Sequence, residues 1–361
     1  MKPTQQLHDL GQNLWLDNIT RGLLTNGTLR HYVDDLSVTG LTSNPSIFDQ
    51  AIKNSNFYND AIRQKKREGK SGEVLFFELA IEDIAQAADL FRPLHEATAG
   101  MDGWVSLEVS PSLAYDAAST VKEAIQLRAR AHRHNLFIKI PGTSEGITAI
   151  EDAIFAGVPV NVTLLFSSRQ YIAAAEAYLR AIERRITAGL DPKVHSVASM
   201  FISRWDKAVM GKVPKELQDR LGIAIAKRTY KAYRDLLASS RWQKAASAGA
   251  QPQRLLWAST GIKDPKASDV LYVEALAAPD TINTIPEKTL LAFADHGTVG
   301  EVLPVDGGDA ESLIAAFAKA GVDDEQLAAD LQREGAADFV ASWKDLLDCI
   351  ESKSATLKAA S

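Results

Sequence analysis

The stretch Asn135-Leu136-Phe137-Ile138-Lys139-Ile140-Pro141-Gly142-Thr143 decides how this chain is read. An apolar run rich in Ile and Phe, closed by Pro-Gly, has the length and composition of a short buried strand. Alternation along a strand puts Phe137, Lys139 and Pro141 on one face and Leu136, Ile138 and Ile140 on the other. An ammonium among such neighbours is costly to bury without a partner. Two readings follow: Lys139 lies at a rim with its head in water, or it points into a polar pocket. The choice rests on what the other strands carry at comparable positions.

Four more strands follow downstream. Gly157-Val158-Pro159-Val160-Asn161-Val162-Thr163-Leu164-Leu165-Phe166-Ser167 has Asn161 and Thr163 on one face, and Val194-His195-Ser196-Val197-Ala198-Ser199-Met200-Phe201 continues into Ile202-Ser203-Arg204. Arg254-Leu255-Leu256-Trp257-Ala258-Ser259-Thr260-Gly261 runs into a small-residue loop with Lys263 just beyond, and Asp280-Thr281-Ile282-Asn283-Thr284-Ile285-Pro286 is the last strand. Upstream, Asn13-Leu14-Trp15-Leu16-Asp17-Asn18 ends in an acid, which a helix N-cap would also explain. Leu36-Ser37-Val38-Thr39-Gly40-Leu41-Thr42-Ser43-Asn44-Pro45 closes in turn chemistry, where Pro45 keeps Asn44 out of the helical region. Gly103-Trp104-Val105-Ser106-Leu107-Glu108-Val109-Ser110-Pro111 holds Glu108 inside an apolar run, a placement that capping does not explain.

Helical patterns separate these strands, notably at 46–67, 72–91, 121–134 and 215–240, and at a segment capped by Ser168 with Tyr171, Ala175, Tyr178 and Ile182 on one face. Eight strands alternating with helices favour a parallel sheet closed as a (β/α)8 barrel. The rival, a doubly wound open sheet, would want a G-x-G-x-x-G after its first strand, and none is present. We therefore expect one barrel over residues 1–300. A helical extension over 301–361 would pack on it through the stripe Phe339, Trp343, Leu346 and Ile350. Such a stripe packs on its own domain or on a second subunit, so monomer and homodimer are both open.

Across 361 residues, 46% hydrophobic and 24% charged describe an ordinary globular protein, and a net charge of -6 argues against a nucleic-acid or membrane surface. Cys349 is the one cysteine, so no disulfide framework or thiolate cluster is expected. The segment from Met1 to Asp17 lacks the apolar core of a signal peptide, and no run approaches the roughly 20 apolar residues of a membrane span. A cytoplasmic location is expected.

In a barrel the C-terminal strand ends converge on one mouth, where active sites lie. That mouth would gather Asp17, Thr42, Asn44, Glu108, Lys139, Asn161, Thr163, Ser199 and Ser259. So many polar groups make a poor core unless they surround a polar ligand. An amine in such a pocket can form a Schiff base with a carbonyl compound, a nearby carboxylic acid can carry protons for dehydration, and a second can act on a β-hydroxyl during C–C cleavage. The iminium is itself the electron sink, so no metal or other cofactor is expected. The histidines fit that expectation: His132 and His134 precede the Lys139 strand, His195 begins its own, and the rest are scattered without ligand spacing.

Six segments carry a family resemblance: Leu14-Trp15-Leu16-Asp17, Gly40-Leu41-Thr42-Ser43-Asn44-Pro45, Val105-Ser106-Leu107-Glu108-Val109, Ile138-Lys139-Ile140-Pro141, Asn161-Val162-Thr163-Leu164-Leu165-Phe166-Ser167 and Ala198-Ser199-Met200-Phe201-Ile202-Ser203-Arg204. In this order they resemble transaldolases, in the longer bacterial form with a helical C-terminal extension. The resemblance implies Lys139 as the Schiff-base lysine, Glu108 as the acid acting through a water placed by Thr163, and Asp17 as base and acid at the sugar hydroxyl. It implies Asn44, Asn161 and Ser199 as holders of the dihydroxyacetone unit, with Thr42 beside them. Arg204 matches the family's phosphate-binding arginine, although a plain surface arginine is the other reading. In the segment Ser259-Thr260-Gly261-Ile262-Lys263, Lys263 is a candidate second phosphate contact where shorter members carry an arginine.

The implied reaction moves dihydroxyacetone from a ketose phosphate to an aldose phosphate. The related fructose 6-phosphate aldolases tend to carry Gln at the position of Glu108 and Tyr at that of Phe201, so both residues here favour transfer. A non-catalytic sugar-phosphate-binding barrel would be expected to lack Lys139, Glu108 or Asp17, and all three are present.

Overall fold

The computed structural model describes residues 1–359. Eight parallel strands close into a barrel in chain order: β1 (Gln12–Asp17), β2 (Val38–Thr42), β3 (Trp104–Glu108), β4 (Leu136–Pro141), β5 (Val160–Leu165), β6 (Ser196–Phe201), β7 (Gln253–Ala258) and β8 (Thr281–Ile285). Pairing of β8 with β1 completes the ring. At least one helix lies in every crossover, as parallel neighbours require. The expected (β/α)8 architecture is the observed one.

Register explains what meets at the mouth. Glu108 pairs with Lys139, Lys139 with Asn161, Pro141 with Thr163, and Asp17 with Thr42. Two residues before Asp17 and Lys139, on the same strand faces, stand Trp15 and Phe137. Phe137 stacks on Trp104 with ring centroids 4.1 Å apart and lies 6.1 Å from Trp15. The indole of Trp15 fits because its β2 neighbour is Gly40, where a Cβ would come within 2.6 Å of the ring. This aromatic layer fills the barrel beneath the polar mouth.

Two local expectations need correction. The helical pattern at 46–67 is two helices, Pro45–Lys53 and Asn59–Arg67. The chain turns between them and buries Tyr58, whose hydroxyl donates to Asp83 Oδ2 at 2.7 Å. The cap of helix Ser168–Thr187 is Ser167, not Ser168: its Oγ accepts from the Gln170 N–H, and Gln170 Oε1 accepts from the Ser167 N–H, a reciprocal capping box.

After β8 come helices Glu287–His296 and Ala310–Lys319, then the 36-residue terminal helix Asp324–Ala359. Trp343 of that helix packs against Phe76 and Phe77, with centroids 4.9 and 5.6 Å apart, while Leu346 and Ile350 are buried beside it. Gln332, nearer its start, donates from Nε2 to the carbonyls of Gly142 and Leu164 at 2.9 Å each, which ties the helix to the ends of β4 and β5. Among the described residues, no helix is long and apolar enough to cross a membrane.

Candidate active site

A cavity of about 230 Å³ opens at the C-terminal ends of the strands. Asp17, Thr42, Asn44, Lys139, Asn161 and Thr163 line it on one side, and Ser199, Phe201, Arg204, Ser259 and Lys263 on the other. Glu108 is the expected site residue that stays off its wall, lying behind Lys139. Ser46, Thr284 and Phe339 line the cavity as well and were not anticipated.

Lys139 is buried on β4, and its Nζ donates to the Ser43 carbonyl at 2.9 Å. That carbonyl sits in the turn where Pro45 opens the next helix and Asn44 is extended (φ -153°, ψ 167°). Glu108 Oε2 lies 3.7 Å from Lys139 Nζ, an ion pair too long for a direct hydrogen bond. The rim reading of Lys139 therefore fails, since its ammonium is enclosed at the cavity floor.

Asp17 is not a helix cap either; Thr20 caps the next helix by accepting from the Leu23 N–H at 3.0 Å. Thr42 Oγ1 donates to Asp17 Oδ1 at 2.8 Å and shares a 2.6 Å contact with Thr284 Oγ1. A hydroxyl has one proton, so Thr284 donates to Thr42, and the three side chains form a directed chain ending on the carboxylate. Burial raises the pKa of the Asp17 carboxyl, with Lys139, Thr42 and Lys263 pulling the other way. Burial also raises that of Glu108, partly offset by Lys139 and reinforced by the negative charge of Asp17. Two acids whose pKa values are raised by burial thus share the field of one amine.

Polar satisfaction differs across the floor. Ser199 Oγ donates to Asn161 Oδ1 at 2.7 Å, and Asn161 Nδ2 donates to Ser106 Oγ at 3.3 Å, which orients the amide. Asn44 Oδ1 accepts from the Ile47 N–H at 3.0 Å. Glu108 Oε2 and Thr163 Oγ1, by contrast, are buried without a hydrogen-bond partner among the described residues. Just past Thr163, Leu164 takes a left-handed φ of 58° where the β5–β6 register shifts, a strained conformation for a non-glycine residue.

The outer edge is cationic. Arg204, in the first turn of helix Ser203–Val209, lies over the Phe201 ring at 5.6 Å and donates from Nη1 to Asp338 Oδ2 at 3.2 Å. Ser259 (φ 54°) accepts the Ser203 N–H at its carbonyl, which locks the loop after β7 against that helix. Lys263 is an exposed residue on this loop; partial desolvation at the mouth, with Arg204 and Lys207 adding like charge, lowers its pKa. His95 and His195 pack on Trp104, at 4.8 and 5.1 Å, at the far end of the barrel.

Residues 14–350 match the family model described as Transaldolase/Fructose-6-phosphate aldolase. The chain belongs to that family. It is 43% identical to a transaldolase of Arthrobacter sp. (strain FB24), with 99% of each chain covered. It is 44% identical to one from Thermobifida fusca (strain YX), covering 96% of each, and 43% identical to one from Thiobacillus denitrificans, covering 96% of this chain and 99% of the relative. The transaldolase match spans the barrel and most of the terminal helix, so the helix that reaches the mouth lies within the family's own extent.

Proposed function

We propose that the protein is a transaldolase. It moves a dihydroxyacetone unit from sedoheptulose 7-phosphate or fructose 6-phosphate to glyceraldehyde 3-phosphate or erythrose 4-phosphate, in the non-oxidative pentose phosphate pathway of the cytoplasm. The observation that carries this reading is one buried amine between two acids whose pKa values are raised, within a cavity edged by cations. Barrel residues 1–300 carry the chemistry and the 301–361 extension forms part of the wall, in a monomer or homodimer.

Lys139 Nζ attacks the ketose carbonyl. Dehydration of the carbinolamine to the iminium needs a proton, which Glu108 delivers through a water held between its free Oε2 and Thr163 Oγ1. Asp17, oriented by Thr42, takes the proton of the hydroxyl on C4, and the C3–C4 bond electrons flow into the iminium. The aldose phosphate leaves, having been held by Arg204 and Lys263, while Asn44, Asn161 and Ser199 retain the three-carbon enamine. A second aldose phosphate then reverses the steps. Retention is what separates transfer from release to water, and Glu108 and Phe201 favour transfer over the aldolase alternative.

Borohydride reduction in the presence of fructose 6-phosphate, followed by peptide mapping, tests this. A reduced dihydroxyacetone adduct on Lys139 is expected. Folded protein that gains no adduct, or gains it on another lysine, would overturn the mechanism.

A further inference from the structure

The terminal helix does more than cover the barrel. Gly335, Asp338 and Phe339 fall at i, i+3 and i+4, one helical face, and that face meets Arg204. Asp338 Oδ2 accepts from Arg204 Nη1 at 3.2 Å. Phe339 borders the cavity and packs toward Phe201, the ring beneath the guanidinium, at 6.5 Å between centroids. Gly335 is buried in mid-helix, where glycine is less favourable than alanine. A Cβ there would come within 2.9 Å of Leu164 Cδ2 and 3.2 Å of Arg204 Nη1. The missing side chain is thus what admits the guanidinium.

We propose that Asp338 is a positioning residue for phosphate recognition, holding Arg204 by Nη1 in a socket of the terminal helix so that its Nε–Nη2 edge is presented to the substrate. This deepens the reading of Arg204 as the phosphate contact and rests on it. Guanidinium binds phosphate best through two parallel N–H groups, and a single contact to Asp338 at Nη1 leaves such a pair for the ligand. The carboxylate is exposed (67%) while Arg204 is mostly enclosed (23%), so the acid stays solvated and opposes the phosphate charge weakly.

The test compares Asp338→Ala, Asp338→Asn and Arg204→Ala. It reads KM and kcat for fructose 6-phosphate, KM for unphosphorylated dihydroxyacetone, and the inhibition constant of inorganic phosphate. Asp338→Ala is expected to raise KM for fructose 6-phosphate and the phosphate inhibition constant about fivefold, in line with one partly exposed ion pair. The effect should fall on KM rather than kcat, with dihydroxyacetone unaffected. Asp338→Asn keeps an acceptor oxygen and is expected to stay near the parent.

Tighter phosphate binding in both Asp338 variants would make the acid a competitor and overturn the proposal. So would equal changes for phosphorylated and unphosphorylated compounds, or no change in Asp338→Ala. Arg204→Ala separates the two levels: if it too leaves phosphate binding unmoved, the assignment of Arg204 fails, whereas a large effect there with none at Asp338 refutes the socket alone.

Discussion

The two ends of this barrel are both polar inside, and they spend their polarity differently. At the N-terminal end Arg254 of β7 donates from Nη1 to Asp102 at 3.1 Å and from Nη2 to Asn13 of β1, while Asn13 Nδ2 donates to Asp102 Oδ2 at 2.9 Å. Gln253 Nε2 adds a bond to Ser196 Oγ at 2.9 Å. The charges there are paired at contact distance, and what is left without a partner at this end among the described residues is neutral, the amide oxygens of Gln12 and Gln253. At the C-terminal mouth Lys139 and Glu108 stand 3.7 Å apart, Glu108 Oε2 has no hydrogen-bond partner among the described residues, and Asp17 shares the same amine's field. Buried polar groups that satisfy one another hold a fold together. A buried ion pair held apart leaves charge capacity for a ligand between its groups.

The largest test of that contrast is Lys139→Ala. Removing the proposed nucleophile is expected to lower kcat by at least about 10⁴-fold, with the circular dichroism spectrum and thermal midpoint close to the parent. Near-normal transfer by this variant would remove the mouth's assigned role. Asp17→Ala should cost about 10³-fold in turnover, within the usual range for a positioned acid or base. It should also leave borohydride trapping of preformed dihydroxyacetone iminium intact. Loss of trapping would place Asp17 earlier in the reaction.

The opposite end should respond in stability. Asp102→Ala strands the Arg254 guanidinium in a buried site and is expected to cost about 3 kcal/mol, read as a lower urea midpoint, while kcat per folded molecule stays within about twofold. A variant that lost activity but not stability would erase the distinction between the ends.

The mouth was more legible in the sequence than the base, for a physical reason. Asp17, Glu108 and Lys139 each interrupt an apolar run at a strand's C-terminal end, and barrel topology alone then brings such ends together. Arg254 and Asn13 stand at strand starts, and Asp102 in the turn before β3, so nothing local distinguishes them from solvated residues. The terminal helix shows a third case. Its apolar stripe was plain, and Phe339 belongs to it, but periodicity says only which residues share a face and not what that face meets. Hence Phe339 emerges as cavity wall and Asp338 as the partner of Arg204 only once the helix is laid across the mouth. Thr284 was missed because its contact with Thr42 joins the last strand to the second.

The smallest effect separates the ends by sign, through pH. His195, near the base, has its pKa lowered from 6.5 to about 4, first by burial and then by Lys193, His95 and Arg254. The unfolded chain then binds more protons than the native one between those values, so stability falls as pH drops from 6.5 toward 4. Glu108 is shifted upward from 4.5, which makes the native state the better proton binder above that value, so its contribution is lost as pH rises. Urea midpoints measured from pH 4.5 to 7 for the parent, His195→Gln and Glu108→Gln should resolve both. The parent-minus-His195→Gln difference is expected to rise with pH, and the parent-minus-Glu108→Gln difference to fall. If both differences sloped the same way, the two ends would share one electrostatic logic, and the division between a paired base and an underpaired mouth would not hold.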